Sequence, residues 1–148
     1  MRAVKYLVLA ALWGGFGMGS ECAALGIKES LAMIETGATS SVRGKWDHTR
    51  GSSGEISRFQ IMPEVWRRYT SSQSWTNPEV AWSVAQKIIS DRVEEFKAKM
   101  GRAPEPVELY LLWNKPGHFA ANKYKFYLVN RSYLLRARRF ANLVLHGR

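Results

Sequence analysis

The sequence is poor in cysteine, in acidic residues and in long apolar runs, and each shortage closes off a class of function. Cys22 is the only cysteine in 148 residues, so no intrachain disulfide and no zinc–thiolate cluster can form. The three histidines, His48, His118 and His146, are scattered without metal-ligand spacing, and no zinc site is expected. Ser57 lacks a Gly-x-Ser-x-Gly setting, which leaves a serine hydrolase triad unsupported. The apolar run Tyr6-Leu7-Val8-Leu9-Ala10-Ala11-Leu12-Trp13 is followed at once by Gly14-Gly15, too short and too broken for a transmembrane span. There is no internal repeat and no low-complexity tract.

What is present begins with a leader. Arg2 and Lys5 precede the apolar run, and a Gly-rich stretch ending in Cys22-Ala23-Ala24 follows it. Positive charge, a short apolar run and small residues, in that order, make a secretory signal peptide. Residues 1–24 are therefore expected to be a signal peptide, with Ala23 and Ala24 both suitable last residues before cleavage. Glu21 stands where a lipoprotein site at Cys22 would want a small residue. Cleavage would remove the cysteine, leaving stability to the core alone. Export to the bacterial periplasm or the extracellular space is the expected localisation.

Residues 25–148 suit one compact domain. An apolar share of 46% with 12% aromatics is globular composition, neither disordered nor coiled coil. Lys and Arg number 22 against 12 Asp and Glu; without Arg2, Lys5 and Glu21 the balance is 20 to 11, a net charge near +9. Such a field draws anionic partners: nucleic acid, anionic membrane or acidic wall polymer. Export and the lack of a binding module argue against nucleic acid. The helices read as core elements, not surface-seeking amphipathic ones, which argues against a membrane-active protein.

Apolar positions Ile27, Leu31 and Ile34 recur at helical spacing, predicting a helix over residues 26–36 that stops at Gly37. Residues 38–57 are Ser, Thr, Gly and Arg with few apolar positions; a polar stretch of that length is usually disordered or functional, and part of it suits a small β-hairpin. Pro63 opens a helix or turn to Tyr69. Asn77 and Pro78 open the clearest helix, which runs to Met100 and is ended by Gly101. Its inward stripe is Ala81, Val84 with Ala85, Ile88, Phe96 and Met100, and it is expected to form the spine of the domain. Further helices are predicted over residues 106–113 and 132–145. The last carries Leu134, Ala137, Phe140, Ala141 and Val144 inward, and Arg136, Arg138 and Arg139 on a face that reads as solvated. The fold class is mainly α, with one irregular polar insert.

Acid–base cleavage of a glycoside needs a carboxyl group held protonated near the scissile oxygen. A glutamate at a helix end, against apolar neighbours, gains that property by desolvation. Glu35 follows Met33-Ile34 and is followed by Thr36-Gly37 and the polar segment. Taken alone, a glutamate so placed is more often simply solvated.

Three segments in order change the balance: Glu35-Thr36-Gly37, then Gly54-Glu55-Ile56-Ser57-Arg58-Phe59-Gln60-Ile61-Met62-Pro63, then Leu112-Trp113-Asn114-Lys115-Pro116-Gly117. Together they resemble the SLT-type lytic transglycosylase family of the lysozyme-like superfamily, over roughly residues 26–120. The resemblance implies a lysozyme-like helical domain. It places Glu35 on the family's catalytic acid, and Ser57, Phe59 and Gln60 in the segment that lines the glycan cleft. Trp113 and Asn114 fall near a Tyr-Asn pair that positions substrate and acid.

Departures from the family pattern are informative. Ser57-Arg58 replaces Gly-Leu, and residues 39–53 make a longer link than usual. Trp113 stands where a tyrosine would bond the acid; Tyr110, one helical turn earlier, is placed to substitute for it. Glu55 replaces an alanine. A second carboxylate there suits a general base for water, and inversion if the two lie about 6.5–9.5 Å apart. The plainer account is that Glu55 pairs with Arg58 or another arginine. His48, beside Asp47, reads as a loop residue. Trp66, Trp75, Trp82 and Trp113 can stack on sugars, but Trp82 falls on a core stripe and Trp113 alone is assigned to the cleft.

The expected activity is cleavage of the β-1,4 bond between N-acetylmuramic acid and N-acetylglucosamine, leaving 1,6-anhydro ends, without cofactor or metal. The basic surface would hold a monomer on the anionic cell wall, in a salt-sensitive way. Two alternatives stand beside it. One is a hydrolytic lysozyme using Glu35 and Glu55; the other is a glycan-binding envelope protein without catalysis.

Overall fold

In the computed structural model, residues 24–147 are described. The expected leader, Cys22 included, lies outside the described residues except for Ala24. Six α-helices and two 3-10 turns account for the described architecture. Four of the five prolines open a helix, so proline marks most element borders; its missing N–H costs nothing at that position.

Helix α1 (Ile27–Thr36) ends on left-handed Gly37, φ 73°. Helix α2 (Pro63–Tyr69) is short. Helix α3 (Pro78–Met100) is capped by Asn77, whose side-chain oxygen accepts from the N–H groups of Glu79 and Val80. Helix α4 (Pro106–Asn114) starts with a reciprocal capping box between Glu105 and Glu108. Helix α5 (Pro116–Ala121) and helix α6 (Arg131–His146) complete the set. These bounds agree with the predicted helices to within about a residue, but α5 was not predicted. Lys115 leaves helical geometry at φ −139°, ψ 57°, and Pro116 then starts a new helix.

The core is built on α4, where Tyr110, Leu111, Leu112 and Trp113 are buried in succession. A helix apolar on all sides is an interior helix, and α4 packs on α3, α5 and, most extensively, α6. Helix α3, the longest, packs on α2 and α4 along one face and has a polar outer face. Its buried stripe includes Ala81, Val84, Ala85, Ile88 and Phe96, while Met100, expected inward, is 36% exposed because the last turn runs past the core. On α6, Ala137, Phe140, Ala141 and Leu143 are buried.

The polar insert is ordered by hydrogen bonds where apolar residues are few. A 3-10 turn (Gly44–His48) carries buried Asp47, whose carboxylate accepts from Arg58 Nε. Arg58 Nη1 also donates to Val42 O at 3.0 Å. Glu29, on α1, accepts from Val42 N–H at 2.6 Å. No strand forms among the described residues. The expected hairpin is reduced to an isolated antiparallel bridge between Ile56 and Ile61.

Candidate active site

Glu35 lies in the last turn of α1 and its side chain is only 7% exposed. Tyr110 Oη donates to Glu35 Oε1 at 2.7 Å. Arg136 Nη2 stands 3.6 Å from Glu35 Oε2 and donates to Ile34 O at 3.3 Å. Burial pushes the Glu35 carboxyl above its ordinary range. The Tyr110 bond, then Arg136, oppose that rise; Glu55 adds to it and Lys115 subtracts. The carbonyl end of α1 acts in the same direction as burial, since it disfavours a negative charge. Tyr110 is itself pushed far up by burial and by Glu35, so its phenol stays a donor.

The carboxyl opens into a groove of about 780 Å³. Residues from every helix contribute to its wall: Glu35 from α1, Val65 from α2, Ile88 and Arg92 from α3, Trp113 and Asn114 from α4, Pro116 from α5, and Ser132, Tyr133 and Arg136 from α6. The insert and the turn that follows it, up to α2, supply most of the rest, among them Gly51, Glu55, Gln60 and Met62.

No known family, curated protein or solved structure matches this chain.

The insert wall is set by two residues at positive φ, Ser57 at 67° and Gln60 at 49°. Between them the chain folds back, with Gln60 N–H on Ser57 O at 3.1 Å. Phe59 is thereby driven inward, fully buried against Trp82 at 5.5 Å between ring centroids. Ser57 is equally buried, its Oγ accepting from Phe59 N–H. Both residues were expected to bind substrate; neither lines the groove, because this turn gives them to the core. Gln60 does line it, held by donation to Ser57 O at 2.9 Å.

Glu55 lines the same groove as Glu35, and its partner is not the expected Arg58, which belongs to Asp47. Glu55 Oε2 accepts from Ser53 N–H at 3.0 Å, and its carbonyl accepts from Gly51 N–H at 2.9 Å. Gly51 leaves room for this: a Cβ there would lie 2.1 Å from Glu55 Oε2 and 2.6 Å from Gln60 Oε1.

Of the tryptophans, Trp113 lines the groove as expected. Trp66 and Trp82 are buried, and Trp75 carries Arg50 over its ring at 4.8 Å. His118 packs edge-on against Tyr133 at 5.5 Å. Sequence reasoning missed three basic residues of the wall. Arg92 donates to Leu112 O at 2.9 Å and to Trp113 O, satisfying carbonyls at the end of α4. Its signal was present: Arg92 sits four residues after Ile88 and four before Phe96, inside the apolar stripe of α3. Arg136 lies on a solvated face, as expected, and also reaches Glu35. Lys115 lines the groove with its ammonium 5.1 Å from the centre of the Tyr133 ring.

The result is a carboxyl group whose burial favours its protonated form, at the wall of a groove that also carries Arg92, Lys115 and Arg136. Such a group can give a proton to a leaving oxygen and take one back.

Proposed function

We propose that this protein is an exported, lysozyme-like enzyme that cleaves peptidoglycan glycan strands between N-acetylmuramic acid and N-acetylglucosamine. The observation that carries the reading is Glu35: a buried carboxyl, raised above its ordinary range, at the wall of a groove. The motif order around it supports the choice of substrate. Glu35 protonates the glycosidic oxygen as positive charge develops at the muramoyl C1. The resulting carboxylate then takes the proton of the C6 hydroxyl, whose oxygen bonds to C1 and closes a 1,6-anhydro ring. Acid and base are the same group, so its proton count is restored. Tyr110 acts as a positioning residue, fixing the carboxyl and favouring its charged form between the two transfers. The basic walls and net positive charge suit an anionic polymer.

A second reading is favoured by one observation, the presence of Glu55 at the same groove. As general base for a water molecule it would make the enzyme a hydrolase with free reducing ends.

The test is digestion of purified peptidoglycan by the protein and by Glu35→Gln, with fragments weighed by mass spectrometry. Anhydro fragments, one water lighter, that vanish in the variant are the expected result. Reducing ends that vanish in the variant select the hydrolase. Turnover that survives Glu35→Gln refutes the assignment of Glu35. Glycan binding without turnover, in either form, leaves the third alternative, an envelope protein that holds glycan.

A further inference from the structure

Between α5 and α6 the chain makes a turn that breaks the rule by which the rest of the surface is built. Phe126, Tyr127 and Leu128 are 46%, 67% and 51% exposed, three large apolar side chains in succession. Runs of that kind on a soluble surface are faults unless they have a use. They are not the loose end of a mobile loop. Lys123 and Tyr124 both adopt positive φ, 54° and 55°, a costly conformation for two non-glycine residues in a row. Tyr124 is pinned edge-on between Phe96 and Phe119, at 5.2 and 5.3 Å. Val129, on the other side, is buried. The 3-10 turn Phe126–Leu128 is therefore a tip held outward by a packed foot.

Along the chain the charge on either side of the tip has one sign, while Glu95 of α3 stands near the foot at Tyr124. From Leu109 to Arg148 the sequence holds no aspartate or glutamate and eight lysines or arginines. Lys123, Lys125 and Arg131 flank the tip directly, and Lys125 Nζ lies 6.0 Å from the Tyr127 ring centre. Aromatic and aliphatic side chains flanked along the chain by Lys123, Lys125 and Arg131 match the boundary of an anionic bilayer, where rings sit at headgroup level and basic residues meet the lipid charge. No helix among the described residues is long and apolar enough to cross a membrane, so the contact is a surface one.

We propose that residues 123–128 are an anchor that inserts Phe126, Tyr127 and Leu128 into the interface of an anionic phospholipid bilayer. The tip joins the two helices whose ends, Pro116 and Ser132–Tyr133, line the groove. Seated on a membrane, it sets the groove beside the bilayer surface. The proposal is independent of what the groove cleaves.

The apolar run at residues 6–13 also has affinity for lipid, so the experiment needs a local probe. In a Cys22→Ser background of the full chain, Tyr127→Cys is labelled with an environment-sensitive fluorophore. A reference label goes on Ser83→Cys, an exposed site on α3 about 20 Å along the helix from Phe96. Vesicles of phosphatidylglycerol and phosphatidylethanolamine are compared with vesicles of phosphatidylcholine. The label at 127 is expected to shift to the blue and be quenched by bromolipid on anionic vesicles only, while the label at 83 is unchanged. Phe126→Ser/Tyr127→Ser/Leu128→Ser, which alters exposed side chains only, is expected to weaken anionic-vesicle binding at least tenfold. A label at 127 that stays in water while the chain is vesicle-bound overturns the proposal, as does a chain that ignores anionic vesicles. Equal insertion into phosphatidylcholine overturns the role given to charge, and with it the anionic bilayer as partner.

Discussion

Glu35 ends a helix that packs into the core, its carboxyl met by a phenol and faced by a guanidinium. Glu55 sits in a turn of the insert, its carboxyl met by a backbone N–H and given space by a glycine. Both belong to one groove. The contrast teaches that side-chain chemistry is set by the wall and not by the residue: burial favours the protonated form of one carboxyl, while the other sits in polar surroundings. The transglycosylase reading needs only the first. The hydrolase needs both.

The largest effect that tests this contrast is on turnover. Glu35→Gln is expected to lower kcat/KM by roughly 10²–10⁴-fold, the range for a general acid. Glu55→Gln, under the transglycosylase reading, changes it by less than about tenfold and leaves the products as anhydro sugars. Equal losses in the two variants, read by fragment release, would dissolve the contrast and make the pair a hydrolytic dyad. The same Glu35 variant has a second signature in stability. Folding holds this carboxyl above its ordinary value of 4.5, so the stabilisation is complete below that value and is lost as pH rises through the raised one. Glutamine has no such loss. Glu35→Gln is expected to melt above wild type at neutral pH and to converge with it in acid, as followed by calorimetry.

The two walls are also held together differently, one by apolar packing and the other by a buried ion pair. Arg58 and Asp47 are each 9% exposed at the side chain. Arg58→Met leaves Asp47 charged, buried and unpaired, and is expected to cost about 3–5 kcal/mol in urea unfolding. Adding Asp47→Leu removes the orphaned charge, so the double variant should recover part of that loss. A single variant as stable as wild type would mean that the insert does not depend on this pair.

These walls differ as well in how far they could be read from sequence. Helices α1, α3, α4 and α6 were legible because apolar period, caps and prolines agree at each of them. Glu35 was singled out by the order of the three motifs and not by its helix, whereas Tyr110 was legible from helix register, which brings a residue one turn before Trp113 into the interior. The insert was not, because its shape depends on Ser57 and Gln60 at positive φ, a conformation their side chains do not advertise. Phe59 and Ser57 were misassigned to the groove on that account. Arg136 is exposed as expected, but its reach to Glu35 was not legible, because a helix face shows which side chains lie together, not which neighbouring element they reach.

A smaller effect separates the two influences on Glu35. Tyr110 lowers its pKa and Glu55 raises it. Tyr110→Phe removes a donor to the carboxylate, so the basic limb of the pH profile of kcat/KM is expected to move up. The lost positioning should cost about tenfold, the scale of one hydrogen bond of about 1.4 kcal/mol. Glu55→Gln is expected to move the same limb down. Limbs that move together, or not at all, would show that the titrating group is not Glu35.

The finest test leaves both carboxyls in place and moves one. Gly51 has no positive φ to protect, and the atoms that crowd its missing Cβ are the far ends of the Glu55 and Gln60 side chains. Gly51→Ala should therefore fold with a stability change within about 1 kcal/mol, since flexible side-chain ends can give way. It should still displace Glu55 from its seat on Ser53 N–H. If Glu55 activates water, a displaced base is a poor base, and kcat falls while KM changes little. If the C6 hydroxyl is the nucleophile, the position of Glu55 has no part in bond making, and kcat is kept. Wild-type kcat with anhydro products in Gly51→Ala is the expected result. A fall in kcat with reducing ends would assign the second carboxyl a share of the chemistry.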